Sequence, residues 1–309
     1  MTIISTKPNF SIHSSLSTLV DQYEGFIIDQ FGVLHDGTKG LVGAADAVRS
    51  LKARGKKLII LSNSSKLTDF TLQKLPQFGL EPSDFVHAVT SGQEACAYVR
   101  QHHFQQPALF LTWSSQSDAD VFLQACGIPV VTRVEDAKFI LLHGARRLYG
   151  TDLDLEQCYM TGDLTVVEPL LKKCVEHQLP MICANPDFVM VRTDGRLVYM
   201  PGTIAQRYEE LGGKVTSFGK PNKEHFQACL RELELPAEKV VHVGDSLHHD
   251  IMGANAAGLD SIFVAGGVHR HELDNLPGEV PSRESCLELF ERHGQFPTHV
   301  VPLFRTNDS

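Results

Sequence analysis

Short, wholly apolar runs alternate with longer stretches in which apolar residues recur every three or four positions, and this rhythm continues through most of the chain. "FIID" (ending at Asp29), "KLIILS" (ending at Ser62) and "FVHAVT" read as buried strands, being short and rich in β-branched and aromatic residues. "LVGAADAVRSLKARG" sets Leu41, Ala45, Val48 and Leu51 on one helical face, and Gly55 closes it. "GQEACAYVRQHH" reads as a further helix. Near Pro107 the pattern restarts, and "PALFLT", "GIPVV", "AKFILLHG", "LTVVEPLLKKCVEHQ" and "PMICANPD" form a second strand–helix set ending around Gly212. "KVTSFGKP", "NKEHFQACLRELEL", "VVHVGDS", "DIMGANAAGL" and "SIFVAGG" then resume the first.

This pattern predicts an α/β fold: a doubly wound parallel-sheet (Rossmann-like) core, residues 1–105 and 214–309, interrupted by an inserted α/β cap domain, residues 106–213. A chain of 309 residues is long enough for two such domains. No internal repeat or low-complexity tract disturbs the reading, and the closing stretch "FPTHVVPLFRTNDS" carries no address that we can read.

Composition narrows the function classes. Hydrophobic residues at 42% and charged residues at 21% suit a globular protein with a sizeable core. The net charge of -9 argues against a nucleic-acid surface and for a small substrate met in a local pocket. No apolar run approaches the ~18 residues of a membrane span, so no membrane partner is expected. The 7 cysteines, odd in number and irregularly spaced, read as reduced thiols, which points to the cytoplasm. The acid-free, Ser/Thr-rich start "MTIISTKPNFSIHSSLSTLV" has a slight transit-peptide character. Lacking arginine and a secretory apolar core, it reads instead as a flexible arm or first helix.

Four predicted strand ends carry polar residues: Asp29, Ser62 with Asn63, Lys220, and Asp245 in "VVHVGDSLHHD". Ligands of an open parallel sheet bind beyond the carboxyl ends of its strands, so these residues are expected to converge. Two carboxylates there repel unless a cation sits between them, and oxygen ligands with few protein donors suit Mg2+. A lysine and a hydroxyl beside that cation make an anion pocket, most naturally for a phosphoryl group.

These residues resemble the four motifs of the haloacid dehalogenase superfamily: Asp29 in "DQFGVL", Ser62 in "LSNSS", Lys220 in "FGKP", and "GDSLHHDIMGANAAGL". The large insert, "NPD" at Asn185–Asp187 and "PGT" at Pro201–Thr203 resemble its class IIA branch, that of the pyridoxal and nitrophenyl phosphatases. The resemblance covers roughly residues 20–275. It implies a Mg2+-dependent phosphatase acting on a small phosphorylated metabolite, with Asp29 as the nucleophile that forms an aspartyl-phosphate. Ser62, with Asn63 beside it, and Lys220 would hold the phosphoryl oxygens. Asp29, Asp245 and the backbone carbonyl of Phe31 would hold the metal, and Asp250 would orient its waters. A homodimer through the cap is the assembly that the resemblance suggests.

Phe31 departs from the family pattern, whose phosphatases carry there an aspartate that protonates the leaving alcohol and later activates water. An aromatic at this place also fits C–halogen hydrolysis, since a halide leaves without a proton. Asp245 and Asp250 favour the metal-dependent phosphatase over that rival. A phosphate-metabolite binding or regulatory protein with little turnover is the non-enzymatic alternative. His35 could stand in for the missing acid, but a turn histidine bonded to backbone is the preferred account. His248 and His249, or His269 and His271, lack zinc-ligand spacing and read as loop histidines. Arg146 and Arg147 could meet a second anionic group, although solvated arginines are the plainer reading.

Overall fold

The computed structural model describes residues 9–192, 196–273, 276 and 278–306. The elements begin with β1 (Ser11–Ile12), β2 (Gly25–Ile28), α1 (Ala44–Ala53), β3 (Lys57–Ser62), α2 (Thr68–Lys74) and β4 (His87–Thr90). They continue with α3 (Ser91–His102), β5 (Ala108–Thr112), α4 (Gln116–Cys126), β6 (Phe139–Leu142), β7 (Arg147–Leu148), α5 (Glu156–Thr161) and α6 (Glu168–Glu176). Next come β8 (Met181–Cys183), β9 (Val189–Val191), β10 (Leu197–Tyr199), α7 (Pro201–Glu210) and β11 (Val215–Ser217). The last are α8 (Lys223–Leu233), β12 (Val240–Gly244), α9 (Met252–Ala257), β13 (Asp260–Val264), α10 (Arg283–His293) and β14 (His299–Val301).

The chain divides into two compact units: Met1–Leu61, Leu72–Val89 and Lys220–Ser309 form one, Ser62–Thr71 and Thr90–Gly219 the other. In the first, the sheet runs β1-β14-β13-β12-β2-β3-β4 among the described residues. β12 pairs in parallel with β2 and β13, and β2 with β3. β2 shows why both faces are covered. Phe26 and Ile28 pack with Val48 and Leu51 of α1, while Ile27, pointing the other way, packs with Phe226, Cys229 and Leu233 of α8. A strand buried on both faces needs an unbroken apolar sequence, which "GFII" supplies.

In the second unit the sheet order is β11-β8-β6-β5-β7, with β7 antiparallel to β5, and β9 and β10 form a separate antiparallel hairpin. Ala95, Cys96 and Val99 of α3 pack with Phe110, Phe122 and Cys126, so α3 goes with this unit rather than with residues 1–105. Two local expectations change, and one stretch left unassigned gains an element. Residues 1–8 of the expected arm or helix lie outside the described residues, but Ser11–Ile12 is an edge strand paired with β14. The closing stretch supplies β14 itself, beside β13. "GIPVV" is no strand, making one isolated bridge from Val130 to Ala108.

Candidate active site

β2 and β12 are neighbours in the sheet, and the chain leaves them in opposite directions, toward β3 and toward β13. That reversal opens a crevice beyond their carboxyl ends. Asp29 is the first residue past β2, and its N–H donates to the Val243 carbonyl at 2.9 Å; Asp245 is the first residue past β12. The buried Lys220 ammonium donates to Asp29 Oδ1 at 2.5 Å and to Asp250 Oδ1 at 2.8 Å. Asp245 Oδ2 accepts the Val268 N–H at 2.8 Å. Carboxylate oxygens of Asp29, Asp245 and Asp250 lie within 4.8 Å of one another.

Glycines make room for this crowding. A Cβ on Gly32 would come within 1.9 Å of Asp245 Oδ2, and one on Gly244 within 2.1 Å of Asp250 Cγ. Gly32 also has φ +76°, a left-handed conformation that other residues rarely adopt.

Lys220 arrives differently from the expectation that it ends a core strand. The strand before it, β11, is the edge of the second sheet, paired with β8. Three residues with little burial cannot hold a central place, and Lys220 sits on the loop that enters α8.

Three buried carboxylates and one ammonium do not balance. Burial raises the Asp29 pKa to about 7, with Asp250 adding to the rise and Lys220 opposing it. Asp245 is pushed well above the usual range by burial, Asp29 and Asp250. For Asp250 burial is outweighed by Lys220 and His242, and its pKa is lowered. Lys220 has its pKa raised, because Asp250 and Asp29 outweigh burial. Two acids reluctant to ionise, with oxygen donors converging, are the chemistry of a hard divalent cation. The donor set therefore fits Mg2+, which Asp29 and Asp245 could hold.

Ser62 closes β3, is buried, and its Oγ accepts the Ser64 N–H at 3.3 Å. Asn63 donates from Nδ2 to Asp187 Oδ1 at 2.7 Å, within the second unit. Both residues fall in that unit, whereas Asp29, Lys220, Asp245 and Asp250 fall in the first.

Comparison with known sequences then decides the family. The family described as haloacid dehalogenase-like hydrolase matches residues 26–128, and one described as HAD-hydrolase-like matches residues 217–283. The chain belongs to the haloacid dehalogenase superfamily. A similar superfamily relative is the 4-nitrophenylphosphatase of Schizosaccharomyces pombe, 25% identical over 280 residues, covering 82% of this chain and 87% of that protein. The glycerol-3-phosphate phosphatase of Gallus gallus is 27% identical over 274 residues, covering 84% and 86%. A possible sugar phosphatase of Cytophaga hutchinsonii has the same fold, with a TM-score of 0.74, 21% identity, and coverage of 97% of this chain and 100% of that one. These likenesses agree with the class IIA branch that the motifs resemble.

Phe31 takes part in an aromatic stack. The Phe31 ring, 37% exposed, meets His35 edge-on at 4.8 Å, and His35 stacks on Phe78 at 3.9 Å. His35 Nδ1 accepts the Gly37 N–H at 3.1 Å, and burial lowers its pKa to about 4. It is thus the backbone-bonded turn histidine, neutral at pH 7, with no proton to give readily.

The remaining histidines that the sequence singled out take varied places. His269, Glu272 and His293 do come together within 4.8 Å. However, His269 Nε2 accepts the Leu247 N–H, so Nδ1 carries the proton that it gives to Glu272 at 2.6 Å. Arg292 also lies 3.0 Å from Glu272, so an ion pair joins this cluster. His248 and His249 lie in a π-helical turn, Leu247–Ile251, rather than in an irregular loop. Arg146 is not simply solvated: it pairs with both oxygens of Glu156 at 2.6 and 2.7 Å.

Sequence reasoning missed His242, whose Nε2 lies 2.8 Å from Asp250 Oδ1. The signal was present in "VVHVGDS", where a lone histidine stands inside an otherwise apolar strand that leads directly into Asp245.

Proposed function

We propose that the chain is a Mg2+-dependent phosphatase that transfers the phosphoryl group of a small phosphorylated metabolite to Asp29 and then to water. The observation that carries this reading is the Lys220 ammonium bridging Asp29 and Asp250, with Asp245 alongside. An Asp29 oxygen bonds to phosphorus as the bond to the leaving oxygen breaks; water later cleaves the acyl phosphate and returns the carboxylate. Lys220 neutralises charge on the transferring group, and Asp250 holds Lys220 in place. Mg2+, when bound through Asp29, Asp245 and the Phe31 carbonyl, supplies further charge stabilisation. Ser62 and Asn63 remain the residues that the family resemblance assigns to phosphoryl oxygens. The relatives' names, 4-nitrophenylphosphatase, glycerol-3-phosphate phosphatase and ribonucleotide monophosphatase, support a small monoester as the substrate class. The reading keeps the cytoplasm as the compartment, in accord with 7 free cysteines, and a homodimer through the cap as the assembly.

The aromatic at position 31 favours one second reading, C–halogen hydrolysis at the same aspartate. One assay separates them. The phosphatase should release phosphate from p-nitrophenyl phosphate with Mg2+, stop when the metal is chelated, and lose turnover in Asp29→Asn with its fold intact. Chloride release from a haloacid without metal would favour the second reading. Thermal stabilisation by phosphate with no release would leave a binding protein.

A further inference from the structure

The buried line of polar groups continues past Asp250. His242 lies in β12, opposite Ile27 of β2 and Ser261 of β13, and is fully buried. Its Nε2 approaches Asp250 Oδ1 at 2.8 Å, the same oxygen that accepts the Lys220 ammonium at 2.8 Å. A carboxylate oxygen only accepts, so His242 donates through Nε2–H. Its Nδ1 has no hydrogen-bond partner among the described residues. Burial lowers its pKa, against the opposing pull of Asp250 and the Ile27 backbone. Phe226 holds it edge-on at 5.0 Å. A histidine in the middle of a central strand costs desolvation unless its polar edge is used.

The other oxygen of Asp250 is also committed, accepting the Ser246 N–H at 3.0 Å. The carboxylate therefore has a fixed orientation, and its Oδ1 is divided between two donors. Resting on the reading of Asp29 as phosphoryl acceptor, we propose that His242 is a positioning residue for the reaction. By occupying part of Asp250 Oδ1, it keeps the Lys220 ammonium shared with Asp29 instead of drawn wholly to Asp250. With the His242 donor removed, Oδ1 offers its full charge to Lys220, and the ammonium retreats from the oxygen that must bond to phosphorus. The lost interaction is one that strengthens as charge develops in the transition state, so it acts on kcat more than on KM.

H242M removes the donor at similar volume, and H242Q restores an amide N–H at similar reach. With p-nitrophenyl phosphate and Mg2+, H242M should lower kcat by about tenfold and change KM by less than about threefold, the loss expected for one charge-assisted hydrogen bond. H242Q should recover most of that loss, provided that both variants unfold cooperatively like the wild type. Wild-type kcat in H242M, or an equal loss in H242Q, overturns the proposal. Crystal structures of wild type and H242M give a second readout: the Lys220–Asp29 contact should lengthen beyond hydrogen-bond range, and an unchanged contact overturns the proposal. That comparison stands even if wild type releases no phosphate, a result that sinks the functional reading alone. Should H242M fail to fold, H242Q against H242N, whose shorter amide falls short of Asp250, makes the same comparison.

Discussion

On the proposed reading a carboxylate at position 31 would protonate a departing alcohol, whereas the phenylalanine here rests against Gly37 and His35. A Cβ on Gly37 would lie 2.7 Å from its ring, so the turn is shaped to receive an aromatic. His35 does not replace the acid, because it is neutral and already accepts the Gly37 N–H. General-acid help is typically worth ~10²–10⁴-fold. Aryl and acyl phosphates, whose leaving groups are stable anions, need little of it, while alkyl phosphates need most. Phe31→Asp should therefore raise alkyl-phosphate turnover relative to p-nitrophenyl phosphate by at least about tenfold, with folding checked by thermal melting. Similar chemical-step rates on both substrates in wild type, unchanged in His35→Ala, would mean that another group donates the proton and that the acid-deficient site is a mistaken idea.

At the scale of elements, the site depends on where chains leave strands. Asp29 and Asp245 were legible because each ends an apolar run, and parallel sheets gather such ends. Lys220 was legible as a residue but not as a placement, because the three residues of β11 look alike whether they pair with β8 or with a core strand. β1 and β14 escaped notice for a related reason. Two- and three-residue strands have no period to read, and their pairing is decided by contacts far away in sequence. Gly32 shows the same limit in a single residue: its neighbours in sequence do not reveal that Asp245 Oδ2 lies where a Cβ would go. Gly32→Ala meets that collision and a left-handed backbone together, a strain of roughly 1–3 kcal/mol before relaxation. The expected result is a lower melting temperature and a higher Mg2+ concentration for half-maximal activity, since Asp245 must move. Unchanged values for both would show that the loop relaxes freely and that its glycine is not needed by the carboxylate.

For the whole molecule, the crowded acids make stability depend on pH and, on the proposed reading, on metal as well. Asp29 has a folded pKa raised from 3.8 to about 7, and Asp245 is raised in the same direction. Between those values the folded protein holds protons that the unfolded chain has released. The stability contributed by Asp29 is thus fully present below pH 3.8 and is lost as pH rises to about 7. Asp250 has the opposite sign, but its lowered pKa places its window below 3.8. Metal-free protein should accordingly lose stability on going from pH 5 to pH 8. Mg2+ bound as proposed would take the deprotonated carboxylates, so at pH 5 it must displace protons that at pH 8 are already gone. Stabilisation by a ligand at 100 times its Kd is about 2.7 kcal/mol, and a weaker apparent Kd at pH 5 reduces it at equal concentration. Calorimetric melting in Mg2+ and in chelator should therefore show a larger metal-induced rise in Tm at pH 8 than at pH 5. Asp245→Asn removes one of the competing charges while its carbonyl oxygen can still accept the Val268 N–H. It should melt higher than wild type in chelator at pH 8 and show little response to Mg2+. An equal Mg2+ shift at both pH values, or a metal-free Asp245→Asn that melts lower at pH 8, would mean that the acids are not in competition and that the cluster owes its stability to something other than a cation.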